Sequence, residues 1–218
     1  MSQLAEKSLR ITEIFFSIQG ESRSIGWPTV FVRLTGCPLR CDYCDTAYAF
    51  TGGESMSIEA VLAEVHRHPA RHVTVTGGEP LAQKACLPLL GALCDAGYEV
   101  SLEASGALDV AAVDPRVVKV LDLKTPGSGE EAKNRLGNLA HLTPRDQIKF
   151  VICDRADYDW TKQMIATHGL AERCELLLSP VWGRVDPAQL AEWMLADGVP
   201  ARLQVQLHKI LWGEARGR

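Results

Sequence analysis

Residues 29–44 read Thr-Val-Phe-Val-Arg-Leu-Thr-Gly-Cys-Pro-Leu-Arg-Cys-Asp-Tyr-Cys, an apolar run followed by three cysteines. The run at residues 29–35 is rich in β-branched residues and predicts a buried strand. Cys37, Cys41 and Cys44 then follow within eight residues. Three thiolates at this spacing can bind three irons of a cubane 4Fe-4S cluster and leave the fourth iron without a protein ligand. We therefore expect a loop, directly after a first strand, that holds an iron able to bind a further molecule.

A zinc site is the main alternative for this cysteine loop. A structural zinc ion is closed by four Cys or His ligands, and residues 36–57 contain no fourth Cys or His. Seven cysteines are an odd count, and nothing in the sequence marks secretion, so a disulfide framework is not expected. The other cysteines stand apart in apolar stretches and are typical of small buried residues: Cys86, Cys94, Cys153 and Cys174. The spacing favours the cluster over zinc.

Further short apolar runs, bounded by Gly, Pro, Asp or Ser, predict six more buried strands. They lie at residues 72–76, 98–102, 117–123, 147–153, 174–178 and 202–207. Helical patterns lie between them at residues 57–68, 81–96, 158–168 and 187–196, with Ser57 and Asp186 as predicted N-caps and Gly97 and Gly169 as predicted stops. The alternation predicts an α/β fold: a reduced, partly open (β/α)6-type barrel, that is, a partial TIM barrel. Residues 105–115 and 124–145 read as loops that replace helices.

Length and composition are those of an ordinary globular protein. The chain has 218 residues, of which 46% are hydrophobic and 23% charged. We expect a single domain over residues 1–218, with an N-terminal extension at 1–28, a barrel core at about 29–208 and a C-terminal tail at 209–218. The formal net charge is -4 without a run of Lys or Arg, which disfavours direct nucleic-acid binding. No segment predicts a membrane span or a signal peptide, so we expect a cytoplasmic protein.

Chemically suggestive residues follow the predicted strands. Barrels of this kind bind ligands at the carboxyl ends of their strands. The cysteine loop follows the first strand, Gly77-Gly78-Glu79-Pro80 the second, Glu103 the third, Lys124 the fourth and His208 the last. We expect one rim of the barrel to collect them all.

Two motifs at this distance resemble the radical S-adenosylmethionine (SAM) enzymes: the cysteine loop, and residues 76–80, Thr-Gly-Gly-Glu-Pro. Further segments resemble the 7-carboxy-7-deazaguanine synthase family within that superfamily. They are residues 17–22, Ser-Ile-Gln-Gly-Glu-Ser; 44–46, Cys-Asp-Thr; 103–106, Glu-Ala-Ser-Gly; and 206–209, Gln-Leu-His-Lys. The resemblance extends over about residues 11–213. It implies the ring contraction of 6-carboxy-5,6,7,8-tetrahydropterin to 7-carboxy-7-deazaguanine with loss of ammonia, on the route to queuosine, a tRNA modification.

The same resemblance implies three bound cofactors. A 4Fe-4S cluster would be held by Cys37, Cys41 and Cys44, SAM would chelate the open iron, and Mg2+ would bind Thr46 and the substrate carboxylate. Two glycines would bring the backbone close to the methionyl group of SAM, and a glutamate would accept a hydrogen bond from its ammonium. The implied SAM-binding residues are Gly77, Gly78, Glu79, Ser105 and Lys124. Ser105 stands where some relatives have Asn, and Asp122-Leu123 where some have Ser-Pro before the lysine.

For the substrate, the resemblance implies a bidentate contact from Arg33 to the pterin carboxylate. Carboxylates and amides near the sheet would read the N-H donors of the pterin edge. The implied substrate-binding residues are Gln19, Gly20, Glu21, Arg33, Thr76 and Gln206, and the implied catalytic residues are Glu103 and His208. A flavodoxin-type or other electron donor and a homodimer are expected as well.

Simpler alternatives stay open at this point. Thr46 is also typical of a turn cap and residues 77–80 of a plain turn. A glycyl-radical activating enzyme shares the cysteine spacing, but it would not call for Gln19-Gly20-Glu21 or for Gln206 and His208. A non-catalytic iron-sulfur protein that carries electrons would have no use for an open iron or for Gly77-Gly78-Glu79.

Overall fold

The computed structural model describes residues 8–218, whose strands form one nine-stranded sheet. The strands are β1 (Ser8–Ile18), β2 (Pro28–Leu34), β3 (Glu54–Ser57), β4 (His72–Gly77), β5 (Glu99–Ala104), β6 (Val118–Asp122), β7 (Gln147–Ile152), β8 (Glu175–Pro180) and β9 (Arg202–Leu203). The helices are α1 (Ile58–Val65), α2 (Cys86–Asp95), α3 (Arg155–His168), α4 (Pro187–Asp197) and α5 (Leu207–Trp212). Residues 1–7 of the predicted extension lie outside the described part of the chain.

The sheet is a partly open barrel, as predicted. Its strand order is β3-β1-β2-β4-β5-β6-β7-β8-β9, and each neighbouring pair from β2 to β9 is parallel. The edge strands β3 and β9 do not pair with each other within the described chain, so the barrel stays open. The connections at residues 105–117 and 123–146 hold only turns and 3-10 helix, which confirms the two predicted loops.

The two faces of the central strands differ in chemistry. Val73 and Val75 of β4 belong to the apolar core beneath the helices. The intervening Thr74 and Thr76 donate to or share hydrogen bonds with Ser101 and Glu103 of β5. Because successive residues of a strand point to opposite faces, the inner face of the barrel is polar. The predicted burial on both faces holds, but the inner face is built to hold polar groups.

The N-terminal region departs from the prediction of a plain extension. β1 pairs antiparallel with β2 over most of its length, and β3 pairs antiparallel with β1. Neither strand has the continuous apolar run that predicts the other strands. In β1 one face is buried, at Leu9 and Ile11, and the other face is more exposed. An alternating pattern of this kind is the mark of a half-buried antiparallel strand.

Several predicted boundaries are wrong at the ends of elements. The helix predicted from residue 81 begins at Cys86, because Pro80–Ala82 forms a 3-10 turn first. The strand predicted at 202–207 is only the two residues of β9, and α5 follows it. The caps are confirmed: Ser57 Oγ accepts from Ala60 N at 3.2 Å, and Asp186 Oδ1 from Ala188 N at 3.0 Å. None of the helices in residues 8–218 combines the length and the apolar character that crossing a membrane requires.

The segment that follows β1, residues 19–27, folds back into the open side of the barrel. Ser22 N donates to Gln204 Oε1 at 2.6 Å, and Arg23 N donates to Gln147 Oε1 at 2.9 Å. Gly20 O accepts a hydrogen bond from Leu207 N at 3.0 Å. These contacts tie β1 to β7, β9 and α5, and they place Gln19 and Glu21 inside the barrel.

Candidate active site

One cavity lies at the carboxyl ends of the parallel strands, where the predicted residues were expected to meet. The free space between its walls, including the part open to solvent, is about 1140 Å3. Twelve predicted residues line it: Arg33, Cys37, Cys41, Cys44, Thr46, Thr76, Gly77, Gly78, Glu103, Ser105, Lys124 and Gln206. Five do not: Gln19, Gly20, Glu21, Glu79 and His208. The structure therefore brings most of the predicted site together and places the other five behind its walls.

The three cysteines of the loop are free thiols that face the same cavity. Burial raises the pKa of Cys37 and of Cys41 above 9.0, so these groups need a cationic centre to become thiolates. No three Cys, His, Asp or Glu side chains within residues 8–218 converge as ligands of a single ion. A cubane binds each cysteine through a different iron, which requires wider spacing. Cys37, Cys41 and Cys44 remain the predicted ligands of the 4Fe-4S cluster.

A neighbouring segment holds the cysteine loop from outside. Glu130, which is buried, accepts a hydrogen bond from Arg40 N at 2.6 Å. Ser128 O accepts one from Asp42 N at 3.0 Å. The loop predicted at residues 124–145 therefore supplies a clamp on the backbone between the cysteines, a role that the sequence did not reveal.

Gly77 and Gly78 are required by packing within the protein, in addition to the predicted approach of their backbone to SAM. A Cβ on Gly77 would lie 2.4 Å from Leu34 O, and a Cβ on Gly78 would lie 2.4 Å from Gly36 O and 2.7 Å from Cys37 Cβ. Glu79 N also donates to Gly36 O at 2.8 Å. The end of β4 thus presses directly against the start of the cysteine loop.

Glu79 is turned away from the cavity, contrary to a free role toward the ammonium of SAM. Its fully buried carboxylate accepts hydrogen bonds from Leu81 N at 2.9 Å, Ser105 N at 2.7 Å and Ser105 Oγ at 2.5 Å. Since three of its roughly four acceptor positions are occupied, Glu79 ties the turn after β4 to the end of β5. Ser105 lines the cavity, but its hydroxyl is committed to this contact.

Arg33 and Thr46 stand on one side of the cavity. Arg33 Nε donates to Glu13 Oε1 at 2.7 Å, so a contact with a carboxylate ligand would use its two Nη atoms. Tyr48 Oη donates to the same Glu13 oxygen at 2.8 Å. Thr46 precedes a 3-10 turn but makes no side-chain capping hydrogen bond, and its Oγ1 lies 3.8 Å from Cys44 Sγ. The side chain of Thr46 therefore does not cap the turn, and Thr46 is one of the residues that line the cavity.

Glu21 lies behind the wall and holds two cavity residues in place. Its carboxylate accepts hydrogen bonds from Lys149 Nζ and Gln206 Nε2, each at 2.8 Å. Burial opposes its ionisation, but Lys149 outweighs that effect and lowers the pKa of Glu21 to about 2. A Cβ on Gly20 would lie 2.2 Å from His208 Nδ1, so this glycine makes room for the histidine. Burial lowers the pKa of His208, which favours a neutral imidazole at pH 7.

Glu103, in contrast, has only neutral hydrogen-bond donors. Its Oε2 accepts from Thr76 Oγ1 at 3.0 Å and its Oε1 from Gln19 Nε2 at 3.4 Å. Burial, and next the charge of Glu21, raise the pKa of Glu103. The two glutamates of the barrel interior therefore differ: Glu21 stays ionised behind the wall, and Glu103 faces the cavity with weak partners.

Lys124 lines the cavity beside Asp122. Its Nζ lies 3.0 Å from Asp122 Oδ2 and 5.7 Å from the centre of the Tyr43 ring. Burial alone would lower the pKa of Lys124, but Asp122 and then Cys41 outweigh it and raise the pKa. Asp122 Oδ1 and Tyr43 Oη are buried without a hydrogen-bond partner, and such atoms are expected to meet a water or a ligand.

Several cavity residues are absent from the predicted set. Lys149 and Asp122 come from strands β7 and β6, where the only signal is a charged residue inside an otherwise apolar run. Asp45 and Lys209 also line the cavity, and their side chains pair at 3.3 Å. Lys149 and Asp122 belong to no local motif. Asp45 and Lys209 stand within the segments 44–46 and 206–209, but their pairing forms only when these distant segments meet.

Known proteins are similar to this chain in both sequence and fold. Residues 31–123 match the Radical SAM superfamily. A 7-carboxy-7-deazaguanine synthase of Chlorobaculum tepidum is 48% identical over 216 residues, which cover 97% of this chain and 98% of the relative. One of Koribacter versatilis is 43% identical, with 94% and 97% covered. The crystal structure of QueE from Escherichia coli superposes with a TM-score of 0.76 at 27% identity, over 92% of this chain and 95% of that one.

Proposed function

Because this chain belongs to the 7-carboxy-7-deazaguanine synthase family of radical SAM enzymes, we propose that its cavity converts 6-carboxy-5,6,7,8-tetrahydropterin into 7-carboxy-7-deazaguanine with loss of ammonia. The observation that carries this proposal is that one cavity is lined by the three cysteines, Thr46, Arg33 and Glu103. The cavity thus offers one bicyclic ligand a cluster site beside it, oxygen and cationic groups for its carboxylate, and an acceptor for its N-H groups.

The cofactor side of the cavity is assigned to the cysteine loop and its neighbours. Cys37, Cys41 and Cys44 would hold the cluster, and the backbone at Gly77 and Gly78 forms the adjoining wall. When bound, cluster and SAM together supply the 5'-deoxyadenosyl radical that removes hydrogen from the substrate. Glu79 supports this wall by fixing Ser105 and the turn after β4.

The carboxylate of the substrate is assigned to the side of Arg33 and Thr46. The Nη atoms of Arg33 offer a bidentate contact, since Glu13 occupies only its Nε. Thr46 Oγ1 offers an oxygen ligand for Mg2+, which needs few protein ligands because it keeps several waters. Thr46 would hold Mg2+ at this side of the cavity, where the ion would supply positive charge to neutralise and orient the substrate carboxylate.

Proton transfer is assigned to Glu103 and His208. The raised pKa of Glu103 brings it closer to neutral pH, which suits a group that exchanges protons with substrate nitrogens. His208 stands behind Gln206 next to Gly20 and is neutral at pH 7, so it can accept a proton that is passed outward from the cavity. Gln19 orients Glu103, since its amide bridges Thr74 and that carboxylate.

Four broader parts of the assignment are proposals of the same kind. We propose a flavodoxin-type or other one-electron donor for the cluster. We also propose a homodimer, for which the exposed Ile210 and Leu211 of α5 offer apolar surface. The cytoplasm is the proposed location, and a free pterin rather than RNA is the proposed substrate, in keeping with the net charge of -4.

The test is an anaerobic reaction of reconstituted protein with SAM, a reductant, Mg2+ and 6-carboxytetrahydropterin, followed by mass analysis of the products. We expect 5'-deoxyadenosine and 7-carboxy-7-deazaguanine. Formation of 5'-deoxyadenosine without a deazapurine would reject the substrate and keep the radical SAM assignment. Zinc without iron and sulfide in the purified protein would reject both.

Cys41→Ala tests the cluster ligands directly. The variant is expected to lose the cluster and all product, because two cysteines leave a second iron without a ligand. Cys94→Ala is the matched control, since Cys94 lies on α2 away from the cavity. About four irons per chain in Cys41→Ala would contradict the assignment.

A further inference from the structure

Lys149 is the cationic residue of the cavity that neither the motifs nor the proposed roles explain. It lies on β7, level with Asp122 at the end of β6, and its side chain is 14% exposed. Its Nζ donates to Glu21 Oε2 at 2.8 Å, while Asp122 Oδ2 at 3.6 Å is too distant for a good hydrogen bond. An ammonium has three N-H donors, so two of them are left for a ligand in the cavity that Lys149 lines.

Glu103 faces the same cavity from β5, with only β6 between the two strands. The carboxylate of Glu103 is an acceptor with weak neutral partners, whereas Lys149 pairs with Glu21 and keeps donors free. The barrel floor therefore presents an acceptor and a donor on two strands that are separated only by β6. The pyrimidinone edge of a pterin offers the complementary order: an amino group and a ring N-H as donors, then a carbonyl oxygen as acceptor.

We propose that Lys149 donates a hydrogen bond to the pyrimidinone carbonyl oxygen of the pterin, while Glu103 accepts from the neighbouring N-H groups. This inference rests on the proposed function. The same edge is present in the 7-deazaguanine product, so the two residues hold a part of the molecule that the ring contraction leaves unchanged. The reacting ring can then rearrange while the other ring stays fixed.

Glu21 is the positioning residue for this contact. With Gln206 it forms a buried hydrogen-bonded group that fixes the Lys149 ammonium and keeps it charged. The substrate carboxylate is the other group that could attract Lys149, but Arg33 and Thr46 on β2 and its loop already serve it. The carbonyl oxygen belongs to the other ring of the pterin, and it is the ligand atom left for β7.

The test measures binding rather than turnover. Cluster-loaded protein with SAM is titrated anaerobically with pterin-6-carboxylate, with 2-aminopteridine-6-carboxylate, and with pterin lacking the carboxylate. The second compound lacks the carbonyl oxygen and, with it, the ring N3-H, so each compound is compared between variants of the protein. For Lys149→Met we expect at least about tenfold weaker binding of pterin-6-carboxylate, as loss of a charged hydrogen bond predicts. Binding of the analogue without the oxygen should change less than about twofold. Lys149→Arg should restore part of the loss.

Lys119→Met is the matched control. Lys119 is also a buried lysine, 3.0 Å from Asp146 Oδ2, but it lies near the start of β6 rather than at its carboxyl end. Provided that circular dichroism shows it folded, it should bind all three compounds as the unsubstituted protein does. If Lys149→Met does not fold, Lys149→Met with Glu21→Gln removes both partners, and the same loss of selectivity is expected.

The possible results distinguish a failure of the role of Lys149 from a failure of the proposed function. Equal weakening of both carboxylate compounds by Lys149→Met, or no weakening, overturns the role of Lys149 and leaves the proposed function intact. A loss seen only for compounds with the carboxylate assigns Lys149 to that group and likewise overturns the proposal. If the unsubstituted protein binds none of the compounds, the proposed function fails, and the role of Lys149 fails with it.

Discussion

Gly78→Ala is the sharpest test of how the cysteine loop is positioned. The new Cβ would lie 2.4 Å from Gly36 O, 2.7 Å from Cys37 Cβ and 2.8 Å from Gly36 C. Two of these atoms are backbone, so no side-chain rotation relieves the contact. Ordinary contact would require the loop and the end of β4 to separate by about 1 Å. We therefore expect the substitution to move the first cluster ligand.

The expected cost has two parts. Overpacking of a tight site costs about 1–3 kcal/mol. Separation also strains the hydrogen bond from Glu79 N to Gly36 O, now 2.8 Å long, which contributes about 1 kcal/mol. For a domain of this size the sum lowers the melting temperature by roughly 5–15 °C. Iron content after reconstitution should fall as well, because Cys37 follows the displaced residue.

The assay combines thermal unfolding with iron and sulfide analysis and with the electron paramagnetic resonance signal of the reduced cluster. Gly91→Ala is the control: it lies within α2, and the nearest atom to its Cβ is Asp114 Oδ2 at 3.8 Å. Alanine there should stabilise the helix by up to about 1 kcal/mol. If Gly78→Ala keeps a full cluster and melts no lower than Gly91→Ala, the close contact between β4 and the cysteine loop is refuted.

Two other substitutions test the surroundings of the site. Glu130→Ala removes the acceptor for Arg40 N, so the variant should lose iron to a chelator several-fold faster. Glu130→Gln keeps an acceptor and should lose iron more slowly than Glu130→Ala. Equal rates of iron loss for the two variants would contradict the clamp. Glu103 has a pKa raised above 4.5, first by burial and then by Glu21, so its ionisation opposes folding as pH rises. Glu103→Gln should therefore gain stability relative to the unsubstituted protein between pH 5 and 8 in urea unfolding while losing product; a gain that is constant with pH would contradict the shifted titration.

The sequence allowed the parallel part of the fold to be predicted because the physics there is local. β4 and β8 are buried on both sides and so read as apolar runs. Helix caps at Ser57 and Asp186 depend on contacts within three residues. β1 is different, because it is stabilised by an antiparallel partner and by a loop that reaches across the barrel to Gln147 and Gln204. No local window contains those partners.

In the candidate site, too, the features that depend on local sequence were predicted and those that depend on distant contacts were not. Cysteine spacing is a property of one loop, and it predicted both the proposed cluster ligands and their place at one cavity. Gly20 and Glu79 also stand in recognisable motifs, yet the motif does not say what each one touches: Gly20 makes room for His208, and Glu79 holds Ser105. A motif identifies the residues that a site needs, but whether each one contacts the ligand or supports a neighbour depends on the fold.

Lys149 shows why a site of this kind includes residues that lie outside its sequence motifs. Its ammonium is held by Glu21, which β1 and the following loop bring across the barrel to β7, 128 positions away in the sequence. Burying this pair has a desolvation cost that a well-packed apolar pair would avoid, so stability alone does not explain it. A polar inner face that keeps one carboxylate charged and gives another only neutral partners is explained if both rings of a pterin must be held there. The unpredicted charges of Lys149 and Asp122 therefore stand at the cavity where the proposed ligand would bind.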